Sequence, residues 1–452
     1  MLATFGLIFC LGLLYAVPEF DLGSFHYRRV NILGDVMEKK PAATETKFAL
    51  RNDSTFIEIK PPHEDRCKPG ITCIEDYSPD SSGMQAYLAA LDSADQQVVR
   101  IAYFADSYVE GDIMLQPLRD TLQQVYGGSG VGFVPITSEV AGFRMSIIHK
   151  FDNWTTYSMV GERSNEHPLG PAGFAFVPKE ENQVTYKASR YRHLNTLPTA
   201  QLFYKKCGSA CAVVRNETDT IGLTGEKPVN VINLAKNAQS LKLSFITDSM
   251  DLYGISFEDK HGVVVDNFSM RGNSGTALNY VSEEMYRSFD EVHSYRLIFL
   301  SYGLNVASEK QTDYSAYGKS MTRVVERMKA AFPNSSIVLV GCSDRGANVD
   351  GDYMTMENVK LLIREQRKVA AKNGICFWDM FQAMGGDSTM VRWVNEKPAL
   401  ANSDYTHLTF KGGHRIADLL AGTLLYEKEK YDRRKKLTKK KLVAVHQIKV
   451  AS

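Results

Sequence analysis

An excess of charge of either sign is missing from this 452-residue sequence: 53 Lys and Arg stand against 52 Asp and Glu, for a net charge of +1. No global field therefore marks nucleic acid or an acidic lipid surface as the main partner. No internal repeat of any strength is present, which leaves out repeat arrays. Metal-binding patterns are lacking too. The two close cysteine pairs, Cys67/Cys73 in CKPGITC and Cys207/Cys211 in CGSAC, have no His beside them and make poor zinc sites. NVDGDYM brings Asp350 and Asp352 close together without the pattern of a calcium loop. Seven cysteines in all, two pairs of them in polar Gly-containing segments, instead fit local disulfides in an oxidising compartment. Cys342 and Cys376 lie in apolar runs and read as buried thiols.

A long uncharged run occurs at the start. Residues 1–17, MLATFGLIFCLGLLYAV, suit a signal-peptide core or a short membrane anchor, with a buried strand or helix as the alternative. The run lacks a preceding Lys or Arg and a clean small-x-small cleavage site, and the residues before Cys10 make a poor lipobox. With the cysteine pairs, it leads to the expectation of an exported protein, periplasmic or associated with the cell envelope.

With 44% hydrophobic residues the chain can bury one large core or several smaller ones. Residues 18–82 are polar and irregular and read as a linker or extension with some strand. From 83 onward short apolar runs alternate with helical patterns. VVRIAYFADS, HGVVVDNFSM, YRLIFLSYG, SIVLVGCSD and GICFWDMF are strand candidates; DIMLQPLRDTLQQVYG, SAYGKSMTRVVERMKAAF, TMENVKLLIREQRKVAAKNG and a closing helix over 410–431 lie between and after them. This alternation predicts an α/β fold with a mostly parallel sheet covered on both faces. Residues 138–258 break the rhythm with short alternating Thr-, Tyr- and Val-rich stretches, which predicts an all-β sandwich inserted between the two halves of the α/β domain, 83–137 and 259–431. The remainder, 432–452, holds a dense Lys/Arg cluster and reads as a solvated, irregular tail, with attraction to an anionic membrane or envelope polymer as the functional alternative.

Candidate chemistry begins where the first of these strands ends, at FADSYVEGD. A serine at the carboxyl end of a parallel strand lies where open α/β sheets bind ligands, and it is a nucleophile if a base and oxyanion donors are supplied. SDYTHLTFKGG supplies Asp404 and His407 three residues apart, a spacing that lets the carboxylate reach Nδ1 and leaves Nε2 for a serine. RGNSGT and YGLN follow the next two strands and offer glycine backbone and the Asn305 amide. Asp106 reads as a turn former rather than an acid.

These four blocks, FADSYVEGD, RGNSGT, YGLN and DYTH, resemble in order and placement those of the SGNH (GDSL-like) hydrolases. The first block extended by Glu-Gly-Asp, and the insert behind it, look most like the peptidoglycan O-acetylesterase group. The resemblance implies a three-layer, flavodoxin-like domain with a carbohydrate-binding-module-like sandwich. It assigns Ser107 as nucleophile, His407 as base and Asp404 as its orienting acid, and an oxyanion hole from the Ser107 and Gly275 N–H groups and Asn305, with Gly272 a rival for Gly275. It implies no cofactor or metal, an O-acylated glycan as substrate and no nucleic-acid partner. Esterase, O-acetyltransferase and inactive glycan-binding protein all fit these blocks. Ala105, Tyr108 and Val306 depart from the family pattern, which commonly has Gly, His and an acidic residue there.

Overall fold

A computed structural model describes residues 59–62, 67–205, 211–247 and 250–451, together with 20–22 and 25–27. Phe20–Leu22 and Phe25–Tyr27 pair antiparallel within an N-terminal unit, Met1–Glu58. The apolar segment 1–17 and Cys207 lie outside the described residues.

In the second unit, Ile59–Ser452, the chain forms β1 (Ile74–Asp76), α1 (Gln85–Ala90), β2 (Val98–Ala105) and α2 (Leu115–Tyr126). Nine antiparallel strands follow: β3 (Gly132–Val134), β4 (Ile148–Ser158), β5 (Phe174–Lys187), β6 (Leu197–Tyr204), β7 (Ala212–Arg215), β8 (Asp219–Gly222), β9 (Asn230–Ala238), β10 (Ser240–Ile246) and β11 (Leu252–Glu258). The α/β pattern resumes with β12 (Gly262–Ser269), α3 (Glu283–His293), β13 (Tyr295–Ser301), α4 (Ser315–Ala331) and β14 (Ser336–Val340). After a hairpin of β15 (Gly346–Val349) and β16 (Asp352–Thr355) come α5 (Glu357–Asn373), β17 (Cys376–Trp378), α6 (Met380–Met384), α7 (Thr389–Asn395) and α8 (Phe410–Ala451).

The main sheet has the order β12-β2-β13-β14-β17-β1 and is parallel except where β1 closes its edge against β17. Leaving out the edge strand, this is the 2-1-3-4-5 order of flavodoxin-like sheets. Valine, isoleucine and aromatic residues suit its strands, and almost every position of β2, β12 and β13 is buried, as a sheet covered on both faces requires. Helices supply that cover. α5 buries Val359, Leu362, Ile363, Gln366, Val369 and Ala370, a 3.6-residue stripe, and ends at Gly374 in the left-handed conformation.

The nine antiparallel strands carry a second hydrophobic cluster of their own, including Phe176, Tyr186, Leu202, Leu241, Leu243 and Ile255. They join β2 to its neighbour β12. A buried ionic group ties this layer to the main sheet. Arg100 on β2 meets Glu258 of β11 at 2.5 Å and Asp266 of β12 at 3.2 Å, and Asp266 also accepts the Phe133 N–H of β3 at 2.9 Å.

Near the N-terminal edge, Cys67 and Cys73 are bonded to each other; Cys211 is also disulfide-bonded, and Cys342 and Cys376 are buried thiols. The basic C-terminal segment, expected as an irregular tail, instead continues α8 to Ala451. It contains no Gly or Pro to stop the helix, it is rich in good helix formers, and pairs four residues apart such as Lys428–Asp432 and Glu429–Arg433 brace the turn before it. No helix among the described residues is long and apolar enough to cross a membrane.

Candidate active site

Three adjacent strands end in register: Ala105 of β2 is paired with Ser269 of β12 on one side and Ser301 of β13 on the other. The chain leaves all three at one rim of the sheet. Ser107 follows β2 by two residues, Gly275 follows β12 by six and Asn305 follows β13 by four, so the first three blocks emerge side by side. Ala105 is fully buried and extended, and its carbonyl accepts the Met270 N–H at 2.9 Å, so alanine replaces glycine there without backbone strain.

The fourth block arrives through a tight loop. Asn402 N–H donates to His407 O (2.8 Å), Thr409 N–H to Leu400 O (3.0 Å) and Gly413 N–H to Thr409 O (2.9 Å), which fixes residues 400–409 against the first turn of α8. A Cβ on Gly413 would come within 2.3 Å of Ile113 O, so glycine lets this turn press on the backbone just after the first block. Tyr405 has φ of 52°, rare for a bulky residue. It is held by the Gly346 N–H on its carbonyl (2.8 Å) and by stacking on Tyr353 of the β15–β16 hairpin, with ring centroids 3.7 Å apart.

Ser107, His407 and Asp404 come together: Ser107 Oγ lies 3.3 Å from His407 Nε2, and His407 Nδ1 lies 2.7 Å from Asp404 Oδ2. Asp404 also accepts the backbone N–H groups of Thr406 (3.0 Å) and His407 (2.9 Å). Partial burial pushes its pKa up, but these N–H groups and the imidazole outweigh that and hold it below the usual carboxylate value. The His407 and Asp404 side chains remain about half exposed, at 45% and 50%. The arrangement can move a proton from the serine hydroxyl to Nε2 while the carboxylate fixes the tautomer at Nδ1.

The two further donors expected from the sequence are engaged within the protein. Gly275 N–H donates to Asn273 Oδ1 at 2.8 Å, and Asn305 Nδ2 donates to Asn273 O at 3.0 Å and to Asp106 Oδ2 at 3.3 Å. Gly275 has φ of 89° and packs against the Tyr302 ring, whereas Gly272 has open space around it. Asp106 accepts the Tyr108 N–H at 3.0 Å, the turn-forming bond, and its burial pushes its pKa up to about 7. Tyr108 is buried, with its hydroxyl 3.8 Å from Met384 Sδ; Val306 is partly buried, its N–H on Gly303 O. Asn273 was not marked by the sequence, because its bonds to Gly275 and Asn305 arise only in the folded chain.

Behind the serine, Gly111 and Asp112 both have positive φ, and Asp112 is buried among Arg119 (3.2 Å), Arg144 (2.9 Å), Ser146 (2.6 Å) and Asn267 (2.7 Å). Burial works against its charge, but the two guanidinium groups hold it well below the usual carboxylate range. Glu-Gly-Asp is thus the anchor between the first block and the segment that links β3 to β4.

No family model matches the sequence, and no curated protein does. Among solved structures, one of a peptidoglycan O-acetylesterase aligns with 79% of this chain and 99% of its own, at TM-score 0.67 and 23% identity. An acetylxylan esterase from Geobacillus stearothermophilus aligns over 37% of this chain and 73% of its own, at TM-score 0.27 and 20% identity. A family two carbohydrate esterase from Cellvibrio japonicus does so over 67% and 99%, at TM-score 0.27 and 10% identity. The likeness to the first of these shows that this chain shares the fold of that structure.

Proposed function

We propose that this protein is a serine esterase that removes O-acetyl, or similar short acyl, groups from a cell-envelope or extracellular glycan. The observation that carries the reading is the unbroken chain Ser107 Oγ, His407 Nε2, His407 Nδ1, Asp404 Oδ2 at the rim of the sheet. The similar structure is that of a peptidoglycan O-acetylesterase, which supports the acyl group and the class of glycan.

In this reading His407 takes the Ser107 proton as the hydroxyl attacks the ester carbonyl. The oxyanion is met by the Ser107 N–H, the Gly275 N–H and Asn305 Nδ2, with Asn273 and Asp106 releasing the latter two as substrate arrives. His407 then protonates the leaving sugar oxygen, and water, activated by the same imidazole, releases the acyl group from Ser107. The half-exposed His407 and Asp404 favour water over a sugar hydroxyl as acceptor, since a transferase must keep water out. We read the inserted antiparallel layer as a β-sandwich that serves glycan binding. We further read the protein as exported, which the Cys67–Cys73 disulfide and the uncharged N-terminal run support.

Acetate release from O-acetylated peptidoglycan and acetylated xylan tests the function. Wild type is expected to release acetate, and Ser107→Ala and His407→Ala to lose at least a thousandfold in kcat. Equal release by the alanine variants would remove the assignment.

A further inference from the structure

Exposed large aromatic side chains are few in the described part of this chain, and two of them touch each other beside the triad. Phe143 and Phe410 are 48% and 36% exposed and stack with ring centroids 4.8 Å apart at 28°. They come from distant parts of the sequence. Phe410 opens α8 three residues after His407, and Phe143 belongs to the segment linking β3 to β4.

Phe143 is held in place on three counts. Its N–H donates to Val140 O at 2.9 Å, and the next residue, Arg144, is buried on Asp112. Its ring also occupies the space above Gly111, where a Cβ would lie 2.5 Å from Phe143 Cδ1. Gly111 is four residues from Ser107. The pair thus bridges the first and fourth blocks with a fixed, water-facing apolar surface, whose exposure costs free energy unless something covers it.

Next to Gly111 opens a cavity of about 350 Å³ between the inserted layer and the main sheet, lined among others by Glu110, Arg144, Thr156, Ser158, Phe174 and Arg271. Its lining leans acidic, with Glu110, Glu139 and Glu162 against Arg144 and Arg271. Arg271 pairs with Glu110 at 2.8 Å, and Arg144 with Asp112. An apolar ring pair beside a roomy, hydroxyl-lined cavity with a small acidic excess suits a neutral polyhydroxy ligand, apolar on the C–H face of its ring and hydrogen-bonding at its edge, better than an anion or a lipid chain.

We propose that Phe143 and Phe410 form a platform for a pyranose ring of the acylated glycan, with the neighbouring sugar unit entering this cavity. The platform makes the enzyme selective for acyl groups carried on a polymer. The inference rests on the esterase reading of Ser107.

Wild type, Phe143→Ala, Phe410→Ala and Phe143→Trp are compared on O-acetylated peptidoglycan sacculi, on acetylated xylan and on a small soluble acetyl ester that carries no sugar. Each alanine variant is expected to lower kcat/KM for at least one polymer tenfold or more relative to that for the small ester, through KM, and Phe143→Trp to restore most of it. A polymer-to-ester ratio within twofold of wild type in both alanine variants overturns the platform and leaves the esterase standing. If wild type hydrolyses none of the three, the esterase reading is the one that fails. Co-sedimentation of Ser107→Ala protein with sacculi then decides the platform: sedimentation that is lost on adding Phe143→Ala supports it, and sedimentation that is absent or unchanged overturns it.

Discussion

Asp106 and Ser107 are neighbours with opposite relations to water. Ser107 opens to the rim, while Asp106 is buried beneath it, holding the Tyr108 N–H and one proton of Asn305. Burial raises the Asp106 pKa to about 7 from an ordinary 3.8, so the folded protein binds this proton more tightly than the unfolded chain. Its contribution to stability is therefore full below about pH 4 and is lost as pH rises through about 7. Asp106→Asn removes the charge. The stability of the variant relative to wild type is expected to climb between pH 4 and 8 by on the order of 4 kcal/mol, read from denaturant unfolding at several pH values. A difference that stays flat with pH would contradict the assignment. At this scale the sequence was informative where chemistry is local: a serine at a strand end and Asp-x-x-His are short patterns. It was silent on Asn273 and Arg144, whose partners lie two residues to more than thirty residues away and are chosen by the fold.

Elements set the distance between Ser107 and His407. The first turn of α8 presses on the Ile113 carbonyl through Gly413, and the loop before it carries His407. Gly413→Ala is expected to push this turn outward, lengthen the 3.3 Å contact between Ser107 and His407, and lower kcat on a small acetyl ester ten- to a hundredfold. Gly422→Ala, on the same helix and only 3.5 Å from the flexible end of Ile71, is the control and should stay near wild type. Unchanged turnover in Gly413→Ala would show that the loop holds His407 without this close approach. The parallel strands were readable from their apolar runs, and five of them stand near where those runs lie. The β15–β16 hairpin was not foreseen, although Asp350-Gly351 carries the signal: both have positive φ and form its two-residue turn.

The whole molecule depends on how the inserted layer is fixed to the sheet. Arg100, Glu258 and Asp266 join β2, β11 and β12, and the Phe133 N–H of β3 closes on the same carboxylate, so both ends of the insert meet at one buried ionic group. Burial works against the Asp266 charge, but Arg100, His293 and Tyr295 hold its pKa well below the ordinary carboxylate value. For a lowered carboxylate the stabilisation is present above the unfolded value, near pH 4, and is lost as pH falls further. Arg100→Met leaves two buried carboxylates without their cation and is expected to cost about 3–5 kcal/mol at pH 7, a deficit that shrinks as the pH is lowered through 4 towards 3. Denaturant unfolding at pH 7 and at pH 3 checks both parts; a deficit independent of pH would show that the loss is one of packing. The antiparallel strands of this layer were legible in the sequence as alternating, turn-broken stretches. Their pairing was not, because β5 bonds not only to its chain neighbour β4 but also to β10 and β11, distant in sequence, which no local pattern encodes.

Whether Ser107 carries the acyl group during turnover is read by rapid-quench mass spectrometry of the protein mixed with an activated acetyl ester. A transient acetyl group is expected on the peptide containing Ser107, absent in Ser107→Ala. Turnover that proceeds in Ser107→Ala, or in wild type with no acylated serine at any quench time, would contradict it.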